Sequence, residues 1–159
     1  MPNGQYLVFN AGNVLTAAQI QALAPLEAWK TSTTERSSTG ATIDPDLQLS
    51  LAANATYEVL ADIIYSGTGG MEFGWTIPSG AAGGYAATFS LAGTGFGTYA
   101  YAWGTAAEAG TGGVYGIKAR GTLVTSVTAA TFGFNWAPFT SSDAVTLGVG
   151  SILSARRIL

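Results

Sequence analysis

The sequence predicts an all-β protein, a jelly roll or β-sandwich of roughly 8–10 antiparallel strands with a short N-terminal arm and helix. Apolar and polar residues alternate along many short stretches, β-branched and aromatic residues are concentrated there, and turn-forming residues separate the stretches. A chain of 159 residues can bury a core without disulfides or a structural metal. We therefore expect an anchoring arm at residues 1–25 and one β domain at residues 26–159.

The arm carries the signals of a helix of two turns. Thr16 and the glutamine three residues later fit a capping box, and Leu15 and Ile20 stand at the positions of a hydrophobic staple. Leu23 falls on the same helical face as Ile20, and a following proline ends the helix. Because so short a helix is not stable alone, the arm must dock on its own domain or on a partner. Leu15, Thr16, Ile20 and Leu23 are the candidate anchoring residues.

The stretch that organises the domain is residues 56–66. Its apolar side chains at odd positions share one face of an extended chain, and we assign that face to the core. The opposite face carries Glu58 and Asp62 beside Leu60 and Ile64. Since large apolar side chains lie among its carboxylates, this face is a candidate contact with another subunit through Leu60 and Ile64.

Shorter alternating stretches complete the domain. The sequence at residues 44–46, Asp-Pro-Asp, predicts a turn. Residues 71–77 predict a strand that forms a hairpin with residues 56–66. Residues 31–42 are either a loop or an edge strand. The other predicted loops are residues 78–84 and 105–113, and the other predicted strands are residues 26–31, 47–51, 85–91, 98–103, 114–125, 132–136, 144–147 and 151–158.

The composition indicates an unusual surface. Only 9% of the residues are charged, against about 25% in a typical soluble domain. This favours either an assembly whose copies cover one another or a neutral surface of Thr, Ser, Gly and Ala. A net charge of −3 without a basic stripe argues against nucleic acid as a partner. We also expect no membrane partner, because there is no apolar run of about 20 residues and no signal-like start.

The residue types behind most hydrolytic sites are missing. Without histidine or cysteine, Ser-His-Asp and Cys-His triads are impossible. Paired carboxylates remain a route to glycoside hydrolysis. We expect Asp44 and Asp46 to serve the turn instead, and Glu58 and Asp62 to pair with the basic residues of the 114–125 strand. The sequence predicts no enzyme activity, no catalytic residue, no cofactor and no metal.

Two further groups are candidate contacts. Tyr99, Tyr101 and Trp103 alternate, and aromatic rings stack on the apolar faces of sugars, although packing in the core or between subunits is their commoner role. A glycan-binding surface would also include the neighbouring glycine-rich loops. Arg156, near the end of the last predicted strand, is assigned to a salt bridge or a subunit contact, with an anionic partner as the alternative.

Three stretches resemble a known family. Residues 9–20, FNAGNVLTAAQI, are similar to the opening of small virion proteins of tailed phages, especially those of actinobacteria, although Gln21 stands where that pattern often has Asn. Residues 47–57, LQLSLAANATY, resemble a strand-turn-strand of the same proteins. Residues 150–158, GSILSARRI, are similar to their ending.

The resemblance implies a structural protein of the virion, either a minor tail protein or a decoration or fibre protein of the head. It implies a homotrimer of tumour-necrosis-factor-like jelly rolls that is assembled in the host cytoplasm and anchored to major capsid or tail proteins through the N-terminal arm. It implies no active-site residue. The alternative function is a receptor-binding module for host surface glycans on a tail or head fibre.

Overall fold

All the regular secondary structure in the residues that the structure describes is β-strand. The computed structural model describes residues 24–91, 95–110 and 113–158, together with Gly12, Val14 and Thr16. No helix within these ranges is long and apolar enough to cross a membrane. The strands of these ranges are β1 (Leu26–Trp29), β2 (Thr34–Arg36), β3 (Thr42–Leu51), β4 (Thr56–Gly67), β5 (Met71–Thr76), β6 (Ala82–Leu91), β7 (Gly95–Ala102), β8 (Ala107–Ala109), β9 (Gly113–Val124), β10 (Ala130–Pro138), β11 (Val145–Leu147) and β12 (Ile152–Arg157).

Two antiparallel sheets form a sandwich. The larger sheet has the order β1-β12-β4-β9-β6-β7, with β11 bridging β4 and β2, and the smaller sheet has the order β3-β10-β5-β8. The pairs β1 with β12, β3 with β10, β4 with β9 and β5 with β8 are nested along the chain. This nesting is the strand order of a jelly roll, and the β6–β7 hairpin is an insertion that widens the larger sheet. The predicted fold class is confirmed.

The core lies between the sheets and follows the alternation of the sequence. In β4 the odd-numbered residues are almost completely buried, as the sequence predicts: Tyr57, Val59, Ala61, Ile63 and Tyr65. The smaller sheet supplies buried leucines from β3 and buried aromatic side chains from β5 and β10: Leu47, Leu49, Leu51, Phe73, Trp75, Phe132, Phe134 and Trp136. The large rings fill the space between the sheets.

A cluster of rings lies at the centre of the core. Trp75 of β5 stacks on Phe132 of β10 with 5.3 Å between ring centroids, and it meets Trp103 edge to face at 5.4 Å. Trp103 also donates a hydrogen bond from its indole nitrogen to the carbonyl of Thr122, at 2.7 Å. Burial raises the pKa of Tyr85 to about 12, and its hydroxyl donates to the carbonyl of Thr105. The polar ends of Trp103 and Tyr85 therefore bond to backbone while their apolar surfaces pack, whereas the indole nitrogen of Trp75 is buried without a hydrogen-bond partner among the described residues.

The predicted hairpin between residues 56–66 and 71–77 is wrong. Both edges of β4 are already occupied, by β9 along one side and by β12 and then β11 along the other. The three residues after β4 instead carry the chain across to the smaller sheet, where β5 pairs with β10 and β8. Alternation predicted both strands correctly, but it does not report which strand pairs with which.

The predicted turn at residues 44–46 is also wrong. These residues lie within β3, at a bulge where residues 44–47 stand opposite the single residue Phe134 of β10. The bulge carries Asp44 to a fully buried position. The predicted loop at residues 105–113 contains the short strand β8, which closes the edge of the smaller sheet.

Position 121 of β9 requires a glycine, because the backbone of β6 passes too close to it for a side chain. A Cβ at Gly121 would overlap the carbonyl oxygen of Gly84 and would lie 2.7 Å from the Cα of Tyr85. We expect Gly121→Ala to lower the free energy of unfolding by about 1–3 kcal/mol, because neither backbone atom can move without separating the strands. Gly116 of the same strand is the matched control, since its nearest neighbour would lie at 3.6 Å. Urea unfolding of both variants measures the difference, and an equal effect would contradict the argument.

Candidate functional site

The outer face of the larger sheet is the surface that combines exposed apolar and charged side chains. The strand register sets Leu60 of β4 beside Arg120 of β9, and Asp62 beside both Lys118 of β9 and Ile152 of β12. Ile152 in turn lies opposite Trp29 of β1. Because directly opposite residues of antiparallel strands point to the same side, these side chains form one continuous surface.

Four apolar side chains surround Asp62 on this face. Their exposed fractions are 54% for Trp29, 44% for Leu60, 41% for Ile64 and 41% for Ile152. We call these four residues the outer apolar patch. Leu60 and Ile64 were predicted from the sequence, because both lie on the strand with the clearest alternation. Trp29 and Ile152 were not predicted as members, since only the pairing of β1 with β12 and of β12 with β4 brings them to this face.

Charge pairs flank the patch. Glu58 accepts hydrogen bonds from Arg120 at 2.5 Å and from Arg156 at 2.6 Å, and Lys118 lies 2.9 Å from Asp62. The expected pairing of the β4 carboxylates with the basic residues of β9 is thus confirmed, and Arg156 makes the salt bridge assigned to it. The bond from Arg120, and then that from Arg156, lowers the pKa of Glu58. This carboxylate therefore favours the folded state above its ordinary titration range, and the benefit is lost as the pH falls through its lowered pKa.

A shallow depression opens beside these pairs. Its volume is about 250 Å³, and its lining is Glu58, Arg120, Gly121, Thr122, Arg156 and Ile158. Arg120 and Arg156 both donate hydrogen bonds to Glu58, and two guanidinium groups against one carboxylate leave the depression with a net positive charge. In the described ranges, no three or more acidic, histidine or cysteine side chains come together as a metal site. Exposed pairs of this kind contribute little to stability and are screened by salt.

The aromatic residues considered for sugar binding point inwards. Trp103 is buried in the ring cluster. Tyr99 and Tyr101 are half-buried and pack against Phe89, with centroid distances of 5.1 and 6.5 Å. Their positions on β7, at the edge of the larger sheet, leave part of each tyrosine accessible.

The candidate anchoring residues fall mostly beyond the described structure. Leu15, Ile20 and Leu23 lie outside the described residues. Thr16 is described as a single exposed residue. The helix predicted for the arm and the docking of the arm therefore stay predictions.

Comparison with known proteins adds little to this geometry. No family model matches the chain, and no curated protein matches it. The chain is similar to one chain of a solved virus structure, described as "Structure of infectious bursal disease virus Gx strain", with 12% sequence identity and a TM-score of 0.18. The match covers 87% of this chain and 35% of that chain, so this protein spans little more than a third of its length. A likeness of this size carries no argument about function.

A second cluster, at one end of the sandwich, was missed by the sequence analysis. Lys30 follows β1 directly, and its ammonium group lies 3.1 Å from Asp44 and 3.0 Å from Asp46. The side chains of Lys30 and Asp44 have no exposed surface. We call Lys30, Asp44 and Asp46 the buried lysine cluster. The sequence feature that could have predicted this cluster is a lysine at the end of a mostly apolar strand, together with two aspartates on either side of a proline.

Proposed function

We propose that this protein is a non-enzymatic structural component of a tailed-phage virion, a jelly-roll subunit that assembles with copies of itself. The observation that carries the proposal is the outer apolar patch. Four large apolar side chains, each more than two-fifths exposed, stand together on a sheet whose other face already forms a complete core. Contiguous apolar surface of this kind is typical of protein–protein contacts rather than of a surface that meets only water.

The surroundings of the patch suit a contact between identical subunits. The neighbouring strands β6 and β7 present small side chains on the same face, including Ala86 and Ala100, so a second sheet can approach closely. The pairs around Glu58 and Asp62 supply both signs of charge, which can set the orientation of the copies. We propose a homotrimer in which this face lies at the subunit contact, with Leu60, Ile64 and Arg156 among the contacting residues.

Placement in a virion is supported by sequence. Three stretches of the chain resemble small virion proteins of tailed phages, and one of them lies in the arm. A low proportion of charged residues fits a protein whose surface is partly covered in an assembly. We propose that residues 1–25 dock on a major capsid or tail protein while the jelly roll faces outwards.

The subunit contact is tested by measuring mass in solution. Analytical ultracentrifugation of the wild-type chain is expected to give three times the chain mass, and a double variant, Leu60→Asn with Ile152→Asn, is expected to give monomers that remain folded. Val127→Asn is the matched control, because Val127 is 81% exposed and lies outside the patch. A wild-type protein that stays monomeric at high concentration would overturn the proposed contact.

Docking on the virion needs a separate experiment. A chain lacking residues 1–25 is expected to keep its oligomeric state but to lose binding to phage particles that lack this protein. Co-sedimentation with such particles measures this, with the full chain as the positive control. Undiminished binding of the truncated chain would refute the anchoring role of the arm.

A further inference from the structure

The buried lysine cluster holds an amine against a carboxyl group where no water can reach either of them. The ammonium nitrogen of Lys30 donates to both carboxylate oxygens of Asp44, each at 3.1 Å, and to Oδ2 of Asp46 at 3.0 Å. Lys30 and Asp44 have no exposed side-chain surface, whereas the side chain of Asp46 is 37% exposed. Asp46 is therefore the member of the cluster that meets solvent.

The carboxyl group of Asp44 is held by fixed N–H donors on both oxygens. The indole nitrogen of Trp136 donates to Oδ2 at 3.1 Å, and the backbone N–H of Asp46 donates to Oδ1 at 3.0 Å. Arg36, whose guanidinium lies 4.2 Å from the ring centroid of Trp136, adds a positive charge nearby. Donors fixed in this way stabilise negative charge that develops on a carboxyl oxygen during nucleophilic attack.

We propose that the folded chain joins Lys30 to Asp44 through an intramolecular isopeptide bond. After the ammonium group of Lys30 has given one proton to Asp46, its nitrogen Nζ attacks the carboxyl carbon Cγ of Asp44, a C–N bond forms, and one C–O bond breaks. Of the three ammonium protons, one remains on the amide nitrogen and two leave with the departing oxygen as water. Asp46 takes a proton from Nζ and passes it to the leaving oxygen, while Trp136 holds the oxygen that stays as the amide carbonyl. No oxidant, reductant or second substrate is needed.

The surroundings favour the amide over the ion pair. Removing two opposite charges from water costs free energy, and their mutual attraction offsets that cost only in part. The amide carries no charge, and the water that forms can leave beside the exposed edge of Asp46. The fold also holds the two reacting groups in contact, which replaces a bimolecular encounter by a much faster intramolecular step.

The position of the bond gives it a structural consequence. Lys30 follows β1 of the larger sheet, and Asp44 belongs to β3 of the smaller sheet. The bond therefore ties the two sheets together at the strand that directly follows the N-terminal arm. If force is applied to the arm, it is resisted by this covalent bond near the start of the domain, and not by the hydrogen bonds of β1 alone.

The bond is tested by the intact mass of the denatured full-length chain. The wild type is expected to be lighter than its sequence by one water molecule, and Lys30→Arg is expected to have its full sequence mass, because it keeps the positive charge but removes the nucleophile. A dehydration elsewhere in the chain would persist in Lys30→Arg and would overturn the proposal. A cyclic imide at Asp44 itself is excluded by chemistry, because Pro45 has no backbone N–H to close it.

Peptide mapping locates the link. Trypsin is expected to leave the bond after Lys30 uncut, and the peptide that begins at Ser37 is expected to stay joined to the one that ends at Arg36. Asp46→Ala is expected to keep the Lys30–Asp44 contact but to accumulate unlinked chain at full mass. Asp44→Asn is expected to give the same amide with loss of ammonia instead of water. A wild-type chain that keeps its full mass after prolonged incubation in the folded state refutes the bond, whatever the oligomeric state.

Discussion

Replacing Asp44 by alanine is expected to lower the free energy of unfolding by about 3–5 kcal/mol. The change leaves the ammonium group of Lys30 buried and removes one of its two carboxylate partners. Asp44 also accepts a hydrogen bond from the indole of Trp136, which would lose its partner inside the core. The proposed isopeptide bond would add to the loss, since a cross-link restricts the unfolded chain. Chemical unfolding of the variant and the wild type measures the difference.

Asp62→Ala is the matched control for this prediction. Asp62 also pairs with a lysine, at 2.9 Å, but both side chains of this pair are largely exposed in the single chain. Pairs of this kind contribute roughly 0–1 kcal/mol. If Asp44→Ala lowers the free energy of unfolding no more than Asp62→Ala does, then burial does not increase the contribution of the Lys30–Asp44 pair to stability.

A double variant, Lys30→Met with Asp44→Leu, is expected to be more stable than Asp44→Ala, because it removes both charges together.

Phe132→Ala is expected to lower the free energy of unfolding by about 3–5 kcal/mol, through the cavity that it leaves. Phe132 is completely buried, stacks on Trp75 and meets Trp103 edge to face at 5.2 Å. Rigid rings on both sides cannot collapse into the space, so the surrounding contacts would be lost rather than replaced. Tryptophan fluorescence during urea unfolding reports this directly, because two of the neighbours are tryptophans.

Two comparisons sharpen this measurement. Phe132→Leu keeps most of the apolar volume, and we expect it to be less destabilising than Phe132→Ala. Phe139→Ala removes a similar side chain that is about half exposed, and surface changes of this kind usually stay within about 0.5 kcal/mol. Equal losses at Phe132 and Phe139 would contradict the assignment of the ring cluster as the centre of the core.

Much of the fold follows from alternation alone. The inward residues of β4 and the outward position of Leu60 and Ile64 were predictable, because a strand turns successive side chains to opposite faces wherever it lies. Opposite charges at Glu58 and on β9 also predicted a cross-strand contact. The turn at residues 44–46 was predicted wrongly, since the preference of Asp-Pro-Asp for turns was overridden by the bulge that lets β3 follow β10.

The sequence by itself determined that the chain forms short strands, and which side of each strand is apolar, because both properties depend on neighbours along the chain. Only the tertiary structure decided the partners. It placed β5 in the opposite sheet from β4, brought Ile152 opposite Asp62 and Trp29 opposite Ile152, and set Lys30 against Asp44. Those contacts join residues that are far apart in the chain. They depend on how the nested strands pair to form the sandwich, and local sequence patterns do not determine that pairing.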